Sequence, residues 1–223
     1  MSEQLTFSMS DGLAEITLDD GKVNALSEVM LEALLEAIGK AAAADAALLI
    51  TGRPGCFSGG YDRKLIQAGG PACDAMRAAG DRLTLAMLDY PAPLVVASSG
   101  HAMAKAAFML LLADYRVGVA GDWRVALNEV AIGMTMPRAA MAIARDRVTP
   151  HWLSRCALQA QGLNPEQAQA AGFYDALEAP EQLLENSREQ LQRLAALPRK
   201  AYRETRMLLN GPLREAVLPW LQS

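Results

Sequence analysis

Leu127-Asn128-Glu129-Val130-Ala131-Ile132-Gly133-Met134-Thr135-Met136-Pro137 places one carboxylate in a stretch that is otherwise apolar or uncharged. No cation stands beside Glu129 in the chain. A carboxylate in such surroundings is desolvated, its pKa rises, and it becomes able to carry a proton near neutral pH. The plainer reading makes Glu129 a cap for the following turn or the partner of a surface arginine, since most glutamates are exposed. The choice depends on whether the rest of the chain builds a site around it.

Immediately upstream, Tyr115 to Ala120 and Trp123 to Leu127 are strand-like and deliver Glu129 to one side of a pocket. Before them, Pro93 to Ser98 is a short apolar run of the kind a buried strand needs. The loop Ser99-Gly100-His101-Ala102-Met103-Ala104-Lys105-Ala106-Ala107 follows it and leads into an apolar helix, Phe108 to Ala113. Ala47-Leu48-Leu49-Ile50-Thr51 predicts another buried strand, followed by the glycine-rich Gly52-Arg53-Pro54-Gly55-Cys56-Phe57-Ser58-Gly59-Gly60-Tyr61-Asp62. Glycines let bare backbone N–H groups approach a ligand. This loop is neither a GxxxxGK[ST] phosphate loop nor a GxSxG nucleophile elbow.

At the N-terminus, Leu5, Phe7 and Met9, then Ala14, Ile16 and Leu18, alternate as in a hairpin, and Asp19-Asp20-Gly21 is a turn. Ser27 is a candidate N-cap for a helix whose Leu31, Leu34, Leu35 and Ile38 fall on one face. Leu65 to Asp89 reads as two helices parted by Gly69-Gly70-Pro71. Downstream, Pro137 to Arg147 is helical, Thr149-Pro150 and Asn164-Pro165 start two further helices, and Gly172 ends the second. Helices are expected at 181–197 and 199–209, with a short tail from Gly211. The order strand, strand, helix, strand opens an α/β spiral, with a core over residues 1–177 and a helical region over 178–223.

With 223 residues, 52% of them hydrophobic, the chain can bury a sizeable core. A net charge of −4 and a pI near 5.3 disfavour nucleic acid as a partner. Cys56, Cys73 and Cys156 are odd in number and lack CxxC or Cys/His spacing, so no disulfide framework and no metal site is expected. The start has no basic segment leading into an apolar one, and no apolar run is long enough to span a bilayer. No membrane partner and a cytoplasmic location are therefore expected.

Three separated segments together resemble the crotonase (enoyl-CoA hydratase/isomerase) superfamily. LNExxxGxxxP resembles the segment that carries a catalytic glutamate, and Leu-Asn-Glu is closest to the Δ3,Δ2-enoyl-CoA isomerase branch. Phe57-Ser58-Gly59-Gly60-Tyr61-Asp62 resembles FxAGxD, and Ser99 to Ala107 resembles the NGxAxGGG segment that leads into a helix. Asn164 to Ala168 with Ala171 to Asp175 is similar to the family's xPxEAxxxGLVD signature. The resemblance implies a spiral of ββα units with a trailing helical region, assembled as a trimer or a dimer of trimers. It further implies an acyl-CoA thioester substrate and no cofactor beyond the coenzyme A of that substrate. Glu129 becomes the proton carrier, and the amides of Tyr61 and Lys105 become the oxyanion donors. The family has glycine where this chain has Lys105, so the amide is kept but the side chain must turn away from the thioester, toward solvent or the CoA phosphates. Any backbone strain is expected at Lys105 itself. Phe108 stands where the hydratase branch carries a second glutamate.

Around these, Lys22, Val23, Ala25, Ser58, Gly59, Gly60, Asp62, Lys64, Gly100, His101, Phe108, Met134 and Pro137 are candidates for substrate contact. Lys22, Arg53, Arg63 and Lys64 serve equally well as a solvated face or as phosphate partners. A loop histidine such as His101 more often bonds locally than acts as a base. Met103, Met134 and Met136 read as adaptable pocket or core lining. Asp62 and Asp114 are expected to orient loops. Three functional readings stand: an enoyl-CoA isomerase with one glutamate, a hydratase or 3-hydroxyacyl-CoA dehydratase using Glu129 and another group, and a non-catalytic acyl-CoA-binding or assembly subunit.

Overall fold

The computed structural model describes residues 4–221. The chain opens with a hairpin, β1 (Leu5–Ser10) and β2 (Leu13–Leu18), paired antiparallel. Helix α1 (Glu28–Ala43) starts where Ser27 accepts a hydrogen bond from Met30 N at 3.2 Å, and it buries Leu31, Leu34 and Ile38 as their spacing predicts. Strand β3 (Ala47–Gly52) is followed by β4 (Gly55–Ser58), then by α2 (Arg63–Ala68) and α3 (Gly70–Leu88), parted at Gly69. Next come β5 (Leu94–Ser98), β6 (Gly100–Met103) and α4 (Lys105–Leu111), then β7 (Tyr115–Val119), β8 (Val125–Ala126) and a 3-10 turn at Val130–Ile132.

Two sheets form from this alternation. The larger has the order β1-β2-β3-β5-β7-β9, where β9 is Ala176–Glu178, and every pairing after the first hairpin is parallel. The smaller is β4-β6-β8, also parallel. Strands β3, β5 and β7 of the large sheet each hand the chain to the small sheet before it returns, which is the ββα spiral expected from the sequence. The apolar runs in β3 and β5 reflect burial on both faces. One face, with Leu48, Ile50, Leu94 and Val96, joins the main core over α1, α3 and α4. The other, with Leu49, Val95, Ala97 and Val117, is covered by Leu183 and Leu191 of α8 (Leu183–Ala195).

The helices α5 (Arg138–Arg147), α6 (Pro150–Ala157) and α7 (Pro165–Ala171) follow the 3-10 turn. Asn164 and Gln167 make a reciprocal capping box on α7, and Gly172 closes it in the left-handed region at φ 93°. The last helix corrects the sequence reading. Helix α9 runs from Arg199 to Val217, through Gly211 and Pro212, and a 3-10 turn at Leu218–Trp220 follows it. The amide that Pro212 lacks would have met the carbonyl of Leu208, an exposed residue whose carbonyl water can serve, while burial of Leu213 and Val217 holds the helix together. No described helix is long and apolar enough to cross a membrane.

Candidate active site

The first loop and the glycine-rich loop are zippered together. Gly59 N donates to Val23 O at 2.8 Å, Leu26 N to Gly60 O at 2.8 Å, and the Ser58 hydroxyl to Asn24 O at 2.6 Å. The same hydroxyl accepts from Gly60 N at 3.1 Å. Asn24 was missed in the sequence and proves central. It is fully buried at φ 50°, and its amide nitrogen lies 3.0, 3.2 and 3.1 Å from the carbonyls of Leu18, Cys56 and Phe57. Its signal was the Asx-type turn after Asp19-Asp20-Gly21, since asparagine tolerates the left-handed region. Asp20 shapes that turn by accepting from the amides of Lys22, Asn24 and Ala25. Partial burial works to raise the Asp20 pKa, but these three bonds and nearby Arg53 outweigh it, and the pKa is lowered.

Lys22, Val23, Ala25, Ser58, Gly59, Gly60 and Tyr61 are thereby brought together. Asp62 caps α2 through Lys64 N at 2.8 Å, the orienting role expected of it, and Lys64 itself is exposed. The loop between β6 and α4 meets the glycine-rich loop at Gly60. A Cβ there would lie 2.5 Å from Met103 O and 3.4 Å from Lys105 N, so only glycine, at φ 81°, lets the two loops touch. The amides of Tyr61 and Lys105 flank this contact, and neither finds an acceptor among the described residues.

The backbone strain sits one residue before its expected place. Ala104 takes φ 48° and ψ −121°, a conformation suited to glycine, whereas Lys105 is the ordinary first residue of α4. The Lys105 side chain also departs from expectation. It runs neither to solvent nor toward a phosphate; it is 8% exposed, and Nζ donates to Thr84 Oγ1 on α3 at 2.5 Å. Burial lowers its pKa to about 8, with Asp81 opposing the shift. Phe108, one turn further along α4, is buried in the core.

Glu129 lies in the loop between β8 and the 3-10 turn and is 8% exposed. Its Oε2 is buried with no hydrogen-bond partner among the described residues, and so is Oδ1 of neighbouring Asn128. Desolvation raises the Glu129 pKa, and its own backbone amide only partly offsets this. Burial also raises the Tyr61 pKa, with Asp81, Cys73 and Glu129 adding to it, so the glutamate's field reaches the tyrosine.

Other candidates stand apart. Gly100 packs on the Gly55 backbone inside the small sheet. His101 Nδ1 accepts from Arg124 N at 3.1 Å and its ring stands edge-on to Trp123 at 5.4 Å, a local role. Pro137 caps α5 in the open, while Met134 borders an apolar groove of about 1380 Å³ between α5, α6 and α9. A second cavity of about 720 Å³ lies between α9, Arg116 and Arg147. Neither contains Glu129, Tyr61 or Lys105, and the chemistry, not the size of the opening, places the site.

Glu129 thus keeps a buried carboxylate oxygen that the fold leaves unpartnered, and the Tyr61 and Lys105 amides are likewise unused among the described residues. The enoyl-CoA hydratase/isomerase family model matches residues 8–219. The chain belongs to this family. It is 38% identical to an enoyl-CoA hydratase/isomerase family protein from Pseudomonas syringae, with TM-score 0.94, 98% of this chain and 95% of that one covered. It is 36% identical to EchA3 of Mycobacterium tuberculosis, a probable enoyl-CoA hydratase, with TM-score 0.93 and coverage of 98% and 93%. Human mitochondrial Δ3,Δ2-enoyl-CoA isomerase, at 21% identity, TM-score 0.90 and coverage of 97% and 87%, shares the fold. No curated protein is similar enough to count as a match. The crotonase spiral expected from the sequence is the fold observed, and the chain is an enzyme of hydratase/isomerase type.

Proposed function

We propose that the protein is an enoyl-CoA isomerase that moves a double bond between C3 and C2 of an acyl-CoA thioester. The observation that carries this reading is the pairing of one buried, unpartnered carboxylate, Glu129, with an apolar residue, Phe108, where the hydratase branch places its second glutamate. Moving a double bond needs one carboxylate. Glu129 Oε2 takes a proton from C2 and leaves a dienolate with its charge on the thioester oxygen; as that carbonyl re-forms, the double bond settles at C2–C3 and the same proton returns at C4. Run in this sense, a 3-enoyl group would gain its proton at C4 and end conjugated with the carbonyl.

The charge that develops on the thioester oxygen is received by the amides of Tyr61 and Lys105, each such donor being typically worth roughly 3 to 4 kcal/mol. Asn128 Oδ1, beside Glu129, is a second buried oxygen without a partner among the described residues. No cofactor beyond the coenzyme A moiety is required, and assembly as a trimer or hexamer follows from the family resemblance. The deciding assay compares purified protein on 3-enoyl-CoA and 2-enoyl-CoA. Isomerisation should exceed hydration by about 10²-fold or more, because hydration lacks its second positioned acid/base group. Efficient hydration would instead favour the hydratase reading.

A further inference from the structure

We infer that one turn of α3, Gly80 to Thr84, positions both amides that receive the thioester oxygen. The inference rests on the proposed function only in taking the Tyr61 and Lys105 amides as those donors. The two residues come from different loops, yet their side chains end on the same helical turn. The Tyr61 hydroxyl lies so close to Gly80 that a Cβ there would overlap it. Lys105 Nζ donates to Thr84 Oγ1 at 2.5 Å, and that hydroxyl donates in turn to Gly80 O at 3.1 Å. Gly80 and Thr84 stand at i and i+4, on one face of α3.

A closed circuit results. The Tyr61 and Lys105 backbones meet through Gly60, and their side chains meet through Gly80 and Thr84. The physical force of the arrangement lies in burial. Lys105 is 8% exposed and Thr84 1%, so an ammonium group swung away from the hydroxyl would be stranded without solvent. Lys105 is the first residue of α4, so an anchored side chain restrains the Cα that carries its amide. Gly80 likewise fixes how far the Tyr61 ring, and the backbone that carries it, can retreat from the loop between β6 and α4. The plainer account is that lysine and threonine merely fill space between α3 and α4, which would affect stability but not the thioester.

The two accounts separate on a spectroscopic reading that needs no turnover. Butyryl-CoA labelled with ¹³C at the thioester carbon is bound to the full chain, and its infrared carbonyl band is compared with that of the free ligand. Wild type should move the band to lower wavenumber. Thr84→Val, which keeps the shape but removes the acceptor, and Gly80→Ala, which displaces the tyrosine, should each lose at least about half of that movement. Thr84→Ser, which keeps the hydroxyl, should restore it. On 3-enoyl-CoA, Thr84→Val should lose about tenfold or more in kcat with KM within about threefold, as expected when reacting groups are misplaced by a fraction of an ångström.

Wild-type band positions in both Thr84→Val and Gly80→Ala overturn the inference, as does an equal loss in Thr84→Ser or a wild type with no shift. A shifted band in a wild type without isomerase activity would defeat the isomerase reading and leave the positioning role standing, provided the variants behave as expected. Circular dichroism identifies any variant that fails to fold, and the remaining pair then decides.

Discussion

Glu129 combines an orphaned oxygen with a raised pKa, and both have one cause: the fold takes a carboxylate out of water and returns only a bond from the residue's own amide. Glu129→Gln should therefore cut isomerisation by about 10²- to 10⁴-fold while acyl-CoA affinity stays within a few fold, since size and polarity are kept. Steady-state kinetics on a 3-enoyl-CoA, with a calorimetric titration, check it. The same burial has a thermal signature. With the folded pKa above the unfolded value of about 4.3, the native state holds its proton more tightly, so stability falls as pH rises through that interval. Glu129→Gln should accordingly melt higher than wild type at pH 7, and the gap should close below about pH 4. Melting curves at the two pH values read it directly; a glutamine variant that melts lower at pH 7 would contradict the desolvation account. At this scale the sequence was partly legible. Glu129's apolar neighbours announced its burial. The direction of the Lys105 side chain was not legible, because Thr84 lies twenty-one residues away and only folding brings α3 alongside.

The elements that the sequence announced are those with strong periodicity or caps. Helix α1 with Ser27 and the N-cap at Asn164 stand where local chemistry placed them, and the break expected at Gly69-Gly70-Pro71 falls at Gly69. Strands β4 and β6 of the small sheet were read as loops, because each is four residues long and opens on glycine, leaving no period to detect, whereas β8 fell in a stretch read as strand-like. Yet this sheet holds the two site loops in register, and its junction carries a measurable strain. Ala104 occupies a conformation that costs a non-glycine residue about 1–3 kcal/mol. Ala104→Gly relieves this and loses about 0.4–1 kcal/mol through the freer unfolded chain, leaving a net gain of about 1 kcal/mol. Urea denaturation should show that gain with kcat unchanged. Gly60→Ala should do the reverse, forcing Met103 away and lowering both stability and turnover.

At the scale of the whole molecule, the C-terminal helix is secured by a polar knot, not by apolar contact alone. Arg206 is almost wholly buried, and its Nε lies 2.7 and 2.9 Å from the two Asp114 carboxylate oxygens. Its other nitrogens donate to the carbonyls of Met87, Leu88 and Tyr90, at the end of α3 and the turn before β5. Asp114 also accepts from Leu94 N and the Tyr202 hydroxyl, so one carboxylate joins β5, the start of β7 and α9. Asp114 was expected to orient a loop, but its partner lies ninety-two residues further on, where no local pattern reveals it. Removing one member of such a pair leaves the others desolvated and unpaired, which typically costs about 3–5 kcal/mol. Arg206→Met keeps much of the volume and should cost about that much in urea denaturation. Native-state hydrogen exchange should then show α9 amides losing protection before those of β3 and β5, whose strands are covered on both faces. A loss below about 1 kcal/mol would place the hold on α9 in Leu213 and Val217 instead, because an ion pair worth so little is what a solvent-exposed site would give.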